Sequence, residues 1–474
     1  MTRRLGFWLG LAAFAAMLVL PPPAGLASDG WRTAAVAVLM AVWWFTEAVP
    51  VALTGSLPFL ALPLLGVAKP EAVAAQYMSP VLFLVLGGAM LGIALEKWQL
   101  HRRLAIAVVA RSSPEPRRLL LSFMFATAFV SMWVNNSATT VMMLPIATAL
   151  IAALTRTLDG PQPDPDEKRF AAALVLSVAY ASNLGGFATP IGTPVNPVAI
   201  GIIEREFGVR ISFLEWMSFG IPLALTGVLI AWLLLSRLSL PFRLASARRE
   251  DIIAAIGPVG PPNAAQWRVI AVVAGASLAW VSVPWLATLL PGLSDAGVAV
   301  AAALALCVIP AGADRSGGRL LEWSDARHAP WYLILLLGGG LALADSVVRS
   351  GLGGWLAGEL SMFAGLPLPA LLLLLVLMCV AITECASNIA TASIMMPIAA
   401  TLAVGGGSEP LLLSLAAGIA ASWGFANPAG TSSNAMVFGT GRIGVGQMLR
   451  AGLWLDLAGA LLIVMTLLAW SWLR

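Results

Sequence analysis

Charge is what this sequence lacks most. Of 474 residues only 11% are Asp, Glu, Lys or Arg, against roughly 25% in soluble domains. Histidine occurs twice, at His101 and His328, and lysine only at Lys69, Lys97 and Lys168. The three cysteines, Cys307, Cys379 and Cys385, lie in apolar segments without CxxC spacing. These scarcities argue against histidine-based acid–base or metal chemistry, a zinc site and a disulfide framework. Gly-X-Y triplets and sustained heptads are missing too, which excludes collagen and coiled coil.

What is present is apolar. Hydrophobic residues make up 59% of the chain, and mean hydropathy is +0.90. One water-facing globule cannot hide that much apolar surface. The runs are long and continuous rather than alternating, so they read as spanning helices of about 20 residues and not as barrel strands. Arg3 and Arg4 before LGFWLGLAAFAAMLVL imitate a secretory leader, but a membrane bundle follows at once, and we read a retained first helix.

Four apolar stretches are interrupted by polar and helix-breaking residues. Stretch 119–155 carries WVNNSATT, 367–404 carries TECASNIATAS, 170–202 carries GGFATPIGTPVNP and 409–440 carries ANPAGTSSN. Unpaired backbone at membrane depth is tolerated only where protein or a water-filled cavity covers it. The first two therefore read as re-entrant hairpins, the last two as spanning helices unwound in the middle. About eleven spans then remain. With the N-terminus cytoplasmic and the C-terminus outside, most arginines collect on the cytoplasmic side, including the 102–118 and 237–249 connectors.

The chain also repeats itself. NNSATTVMMLPIATAL (135–150) matches SNIATASIMMPIAATL (387–402), with Asn136 and Asn388 separated by 252 residues. LVLGGAMLGIAL resembles LLLGGGLALADS, and Gly192-Thr193-Pro194-Val195-Asn196 echoes Gly430-Thr431-Ser432-Ser433-Asn434. By the charge count the first hairpin opens inside and the second outside. That is an inverted-topology repeat, as in secondary transporters with a midplane site. The expected organisation is scaffold helices over 1–77, a first repeat over 78–236, a connector with scaffold helices over 237–329, and a second repeat over 330–474.

At each hairpin tip a half-helix begins, so free N–H groups and a positive dipole end face the site and favour an anion without a basic side chain. The preceding half-helix ends there, and its carbonyls, with Asn and hydroxyl oxygens, suit a hard cation. The tips carry Asn135, Asn136, Ser137 and Thr139, and Ser387, Asn388 and Thr391. The loops add Thr193, Asn196, Thr431 and Asn434, with Gly192 and Gly430 allowing close approach. Pro194 and Pro428 keep the loop backbone from closing into helix. None of the four motifs holds Arg or Lys. Asp345, Glu384 and Asp456 within apolar stretches, and Glu47 near a span end, are suspects for function against structural pairing.

WWFTEAVPVALTGSLPFLALPLLGV, LGGAMLGIALEKWQLHRRLA, SMWVNNSATTVMMLPIA, IGTPVNP and ITECASNIATASIMMPI resemble the divalent anion/sodium symporter family over essentially the whole chain. The resemblance implies a homodimer in a plasma membrane, each protomer with a scaffold and an elevator-like transport domain. It implies co-transported sodium ions and a small dianionic substrate such as succinate, malate or fumarate. Carried over by motif, one sodium site comprises Ser131, Asn135, Asn136 and backbone near Gly192. The other comprises Thr383, backbone at Ala386, Asn388 and backbone near Gly430. Substrate contacts fall on Asn136, Ser137, Thr193, Pro194, Ser387, Asn388, Thr431 and Ser432. Asn135 and Ile389 depart from the usual Ser-Asn-Thr tips, and Ser432 stands where proline is common. A sodium-independent exchanger and a sulfate or tricarboxylate carrier stay open as alternatives. A membrane-embedded enzyme lacks a clustered nucleophile, base or metal set.

Overall fold

Residues 170–186 carry no charge and no continuous polar face, and a helix of this kind is buried all round. The computed structural model places Pro165–Gly186 as a central helix, every residue from Phe170 to Gly186 buried. Pro410–Ala420 is its counterpart, buried from Leu411 to Ala420. The structure describes all residues except 1, 156, 159–163, 246–247, 258–259, 313–317, 360–365, 406–408 and 474.

We number the principal helices α1 (Thr2–Val19), α2 (Ser28–Thr46), α3 (Pro80–Lys97), α4 (Leu100–Arg111), α5 (Pro116–Ser131), α6 (Asn136–Leu154), α7 (Pro165–Gly186), α8 (Val195–Phe207) and α9 (Phe213–Leu233). The rest are α10 (Ala264–Leu289), α11 (Asp295–Val308), α12 (Tyr332–Arg349), α13 (Leu368–Thr383), α14 (Asn388–Gly405), α15 (Pro410–Ala420), α16 (Ser432–Phe438) and α17 (Val445–Leu473). Among the described residues the regular elements are helical, apart from one isolated bridge between Pro310 and Arg319. Among the described residues six helical stretches are long and apolar enough to cross a membrane, and several shorter apolar helices accompany them.

The four interruptions fall where polar residues break the apolar runs. Helix stops at Ser131 and restarts at Asn136, and stops at Thr383 and restarts at Asn388. The other two breaks separate α7 from α8 and α15 from α16. Asn135 caps α6, its Oδ1 accepting Ala138 N–H at 2.9 Å, and Thr431 caps α16 by accepting Asn434 N–H at 3.1 Å. A capping oxygen satisfies an otherwise orphaned donor, which makes a helix start stable inside an apolar run. One further break lies at Gly55-Ser56, where the sequence reading expects a continuous apolar stretch: 51–67 divides into Val51–Thr54 and Leu57–Leu64. There the Gly55 carbonyl accepts the Tyr77 hydroxyl at 2.7 Å.

Packing interlocks the two repeats. α7 lies against both α5 and α6, and α15 against α13 and α14. Across the repeats, α6 packs on α16 and α14 packs on α8. A separate apolar cluster joins the outer face of α3 to α10 and α11, with Trp98 and Trp280 fully engaged in it. Its polar anchors are the Trp98 indole, which donates to Leu320 O at 3.0 Å, and the Trp280 indole, which donates to Asp295 O at 2.9 Å.

Candidate functional site

Each tip brings the same three groups together. Ser131 Oγ lies 2.9 Å from Asn136 Oδ1 and 2.7 Å from the Ser182 carbonyl on α7. Thr383 Oγ1 lies 2.9 Å from Asn388 Oδ1 and 2.5 Å from the Ala421 carbonyl at the end of α15. A hydroxyl ending the first half-helix, an amide opening the second and a carbonyl from the broken helix thus converge twice. Both hydroxyls are fully buried.

The unwound loops repeat too. Asn196 Nδ2 donates to Gly186 O at 2.8 Å and Thr189 O at 2.7 Å. Asn434 Nδ2 donates to Gly424 O and Asn427 O, both at 3.1 Å. One amide in each loop takes up two of the carbonyls that the interruption frees, and so holds the loop open. Close approach makes glycine necessary here. A Cβ on Gly192 would stand 2.9 Å from Gly186 Cα, and one on Gly186 would collide with the Asn136 side chain.

Asn136 is the hinge of the first cluster. The amide atom beside Ser131 also lies 3.0 Å from Ser182 O and 3.2 Å from Gly192 O, so every neighbour is an oxygen. As nitrogen, that atom would donate to all of them. As oxygen, it closes a four-oxygen group, and the amide nitrogen then reaches Asn183 Oδ1 at 3.3 Å. Asn183 Nδ2 in turn donates to Thr431 Oγ1 at 3.0 Å. Ser137 Oγ and Ser432 Oγ pair at 2.5 Å, and Ser182 Oγ donates to Ser433 Oγ at 3.3 Å. These contacts tie the first tip to the second loop.

Ser131, Asn136, Ser137, Gly192, Thr431 and Ser432 are thereby brought into one polar seam, and Thr383 and Asn388 form its partner cluster. Ala386 is buried in the second turn and Ser387 is half-buried there. Asn135, besides capping α6, lines a cavity of about 450 Å3 with Thr193 and Pro194. Its opposite wall is Gly88, Gly92 and Lys97 of α3, with Asp325 and His328 of the connector. That volume is within the roughly 300–1,000 Å3 of small-molecule sites. Lys97 is neutralised by Asp325 at 2.5 Å. Burial pushes the Asp325 carboxyl up, but the Lys97 hydrogen bond, the Glu322 N–H and nearby positive charge outweigh it and hold it below the usual range.

The acidic suspects divide. Asp345 is paired with Arg205 at 3.0 Å and Arg349 at 2.8 Å, and Glu47 with Arg3 at 2.8 Å. Glu384 instead holds the second loop: its carboxylate accepts Ala426 N–H at 2.8 Å and Asn427 N–H at 2.7 Å. Asp456 accepts Phe425 N–H at 3.2 Å. The repeat-matched position of Glu384 is Met132, whose carbonyl accepts the Thr189 hydroxyl at 2.5 Å. Ser182, Asn183 and Ala421 escaped the sequence reading. Ser182 and Ala421 present backbone oxygens, which leave no residue-type signal. Asn183 sits in a run of small residues just before the Gly185-Gly186 pair.

Comparison with known proteins fits this geometry. The chain is 35% identical to the sodium-dependent dicarboxylate transporter SdcS of Staphylococcus saprophyticus over 466 residues, 97% of this chain and 90% of that protein. It is 34% identical to the transporter of the same name from Staphylococcus aureus, with the same coverage. In fold it resembles the Alcanivorax borkumensis YdaH transporter (TM-score 0.58, 17% identity, 98% of this chain and 96% of that one). It also resembles Neisseria gonorrhoeae MtrF (TM-score 0.55, 13% identity, 99% and 94%). The model of the sodium:sulfate symporter transmembrane region matches residues 2–474. Broken helices, paired oxygen clusters and full-length sequence match lead to one assignment: this chain is a polytopic helical membrane protein of the sodium:sulfate symporter family.

Proposed function

We propose that the protein imports small dicarboxylates such as succinate, malate or fumarate, coupled to sodium. The observation that carries this reading is the duplicated oxygen cluster. Ser131 Oγ, Ser182 O and Gly192 O all lie 2.9–3.2 Å from one amide atom of Asn136, and with the amide oxygen turned to that position the four oxygens form one group. Oxygens so spaced can ring a hard cation at the roughly 2.3–2.6 Å contact typical of calcium-sized ions. Thr383 Oγ1, Asn388 Oδ1 and Ala421 O supply the second set. In this reading Asn135, Ala386 and backbone near Gly430 complete the two sodium sets. Ser137, Thr193, Pro194, Ser387, Thr431 and Ser432 face the substrate with the two Asn amides.

Coupling follows from electrostatics. The one lysine lining the cavity is paired with Asp325, so a dianion meets helix N-termini and bound cations rather than a free basic side chain. Sodium at the tips raises the local potential and orders the amides, and a dianion then binds well only to the loaded carrier. The names of the relatives at 34–35% identity support sodium and dicarboxylate as cargo. The interlocked hairpins and broken helices form the transport domain of a homodimeric elevator. In that arrangement α3, α10, α11 and the N-terminal helices stay as scaffold, with the arginine-rich connectors cytoplasmic.

The test is uptake of radiolabelled succinate into proteoliposomes with and without an inward sodium gradient, competed with malate, fumarate, citrate and sulfate. Sodium-driven uptake blocked by C4 dicarboxylates is expected. Uptake that ignores sodium but requires counter-substrate inside would replace symport with exchange, and sulfate- or citrate-selective inhibition would replace the substrate class.

A further inference from the structure

A second crevice lies beside the site above. It measures about 810 Å3 and runs between the amphipathic helix α4, the first hairpin helix α5 and the outer helix α10. Its walls are mostly apolar, among them Phe129 on α5, Trp133 in the turn that follows α5, and Val273 on α10. Phe129 is 51% exposed, an aromatic ring left open on a helix that otherwise packs inward. Along one ridge of α4, Arg103, Ala107 and Arg111 follow at four-residue spacing and border the crevice. Residues four apart stack one turn above another, so two guanidiniums stand on the same face with a methyl group between them.

Among the described residues, both guanidiniums donate only to neutral carbonyls: Arg103 to Gly260 O and Arg111 to Ala107 O. Each keeps donors and an uncompensated positive charge at the edge of an apolar trench. An apolar trench with a basic rim, in a chain embedded in lipid, matches one amphiphile: acyl chain below, anionic head above. We propose that this crevice binds an anionic glycerophospholipid, its phosphate held by Arg103 and Arg111 and an acyl chain lying against Phe129, Trp133 and Val273. The crevice ends at Trp133 and Val134, which also line the cavity beside Asn135. The lipid is thus a wedge directly behind the first tip, between the hairpin and α10.

The experiment is native mass spectrometry and thermal unfolding of the full chain in mild detergent, titrated with phosphatidylglycerol, phosphatidylcholine or inorganic phosphate. These readouts do not depend on transport, so they stand or fall apart from the proposed function. Retention of phosphatidylglycerol at least tenfold above phosphatidylcholine is expected, with an upward shift in Tm that inorganic phosphate does not reproduce. The double variant Arg103→Ala/Arg111→Ala should lose the preference while keeping the unfolding temperature seen in phosphatidylcholine. Arg103→Lys/Arg111→Lys should keep most of it, and Ala107→Trp, which fills the trench, should lose retention. Equal retention of both lipids, an unchanged preference in the double alanine variant, or the same shift with phosphate alone would overturn the proposal.

Discussion

Asn183 Nδ2 donates to Thr431 Oγ1 over 3.0 Å, joining a residue of the first repeat to a residue of the second. Thr431 Oγ1 also caps α16 by accepting Asn434 N–H. Asn183 therefore positions the second loop from within the first broken helix. Asn183→Ala removes the bond to Thr431, about 1 kcal/mol, together with the contact to Asn136 Nδ2, and leaves the half-buried Thr431 hydroxyl one donor short. The half-saturation concentrations for sodium and succinate should both rise roughly five- to tenfold, with membrane abundance unchanged. Initial-rate uptake against sodium concentration measures this, and unchanged kinetics would remove Asn183 from the site.

The matched hydroxyls allow a sharper comparison. Ser131→Ala and Thr383→Ala each delete an oxygen from one cluster, whereas Ser131→Thr and Thr383→Ser exchange the two natural solutions. The alanine variants should need at least about tenfold more sodium, on the order of 1.4 kcal/mol. The exchanged variants should retain most activity. Equal behaviour of alanine and hydroxyl variants in sodium titrations would argue that these hydroxyls only fasten helices together.

Gly186→Ala tests the close approach. The new methyl group must displace the Asn136 amide, and overpacking of this kind costs about 1–3 kcal/mol. Uptake should fall below a tenth of wild type with a modest loss of thermal stability. A Gly186→Ala protein with normal uptake would show that Asn136 can leave its position without consequence.

Glu384 makes the second loop unlike the first. Glu384→Gln turns one of two acceptor oxygens into a donor facing an N–H at Ala426 or Asn427, so the loop must shift. Uptake should drop more than tenfold, while Met132→Ala, which leaves the matched backbone carbonyl in place, should cost far less. Parallel transport assays of the two variants decide it.

The Lys97–Asp325 pair predicts a pH dependence. The Asp325 carboxyl is held below the usual range in the folded protein. Its stabilising contribution is therefore complete above the unfolded-state value and is lost as pH falls through the depressed one. With both side chains partly exposed, the contribution is about 1 kcal/mol or less. Melting temperature should decline more steeply on acidification in wild type than in Asp325→Asn, and identical slopes would dismiss the pair.

Much of this was legible in the chain because membranes constrain so strongly. Asn135-Asn136-Ser137 and Ser387-Asn388 stood out because polar residues cannot lie idle in an apolar run, and helix breaks at both positions. Asp345 gave the same signal for a different reason, as the partner of Arg205 and Arg349. Residue type alone did not separate the two cases.

The sequence by itself determined where helices must break and that the two halves share one plan, because unpaired backbone in lipid demands a visible polar signature and the repeat is written in matching residues. Only the tertiary structure decided which oxygens meet. Ser182 O, Gly192 O and Ala421 O are backbone atoms that every residue carries, and Asn183 meets Thr431 only because α7 crosses beneath the second loop. Their convergence depends on helix packing, which no local pattern of side chains records.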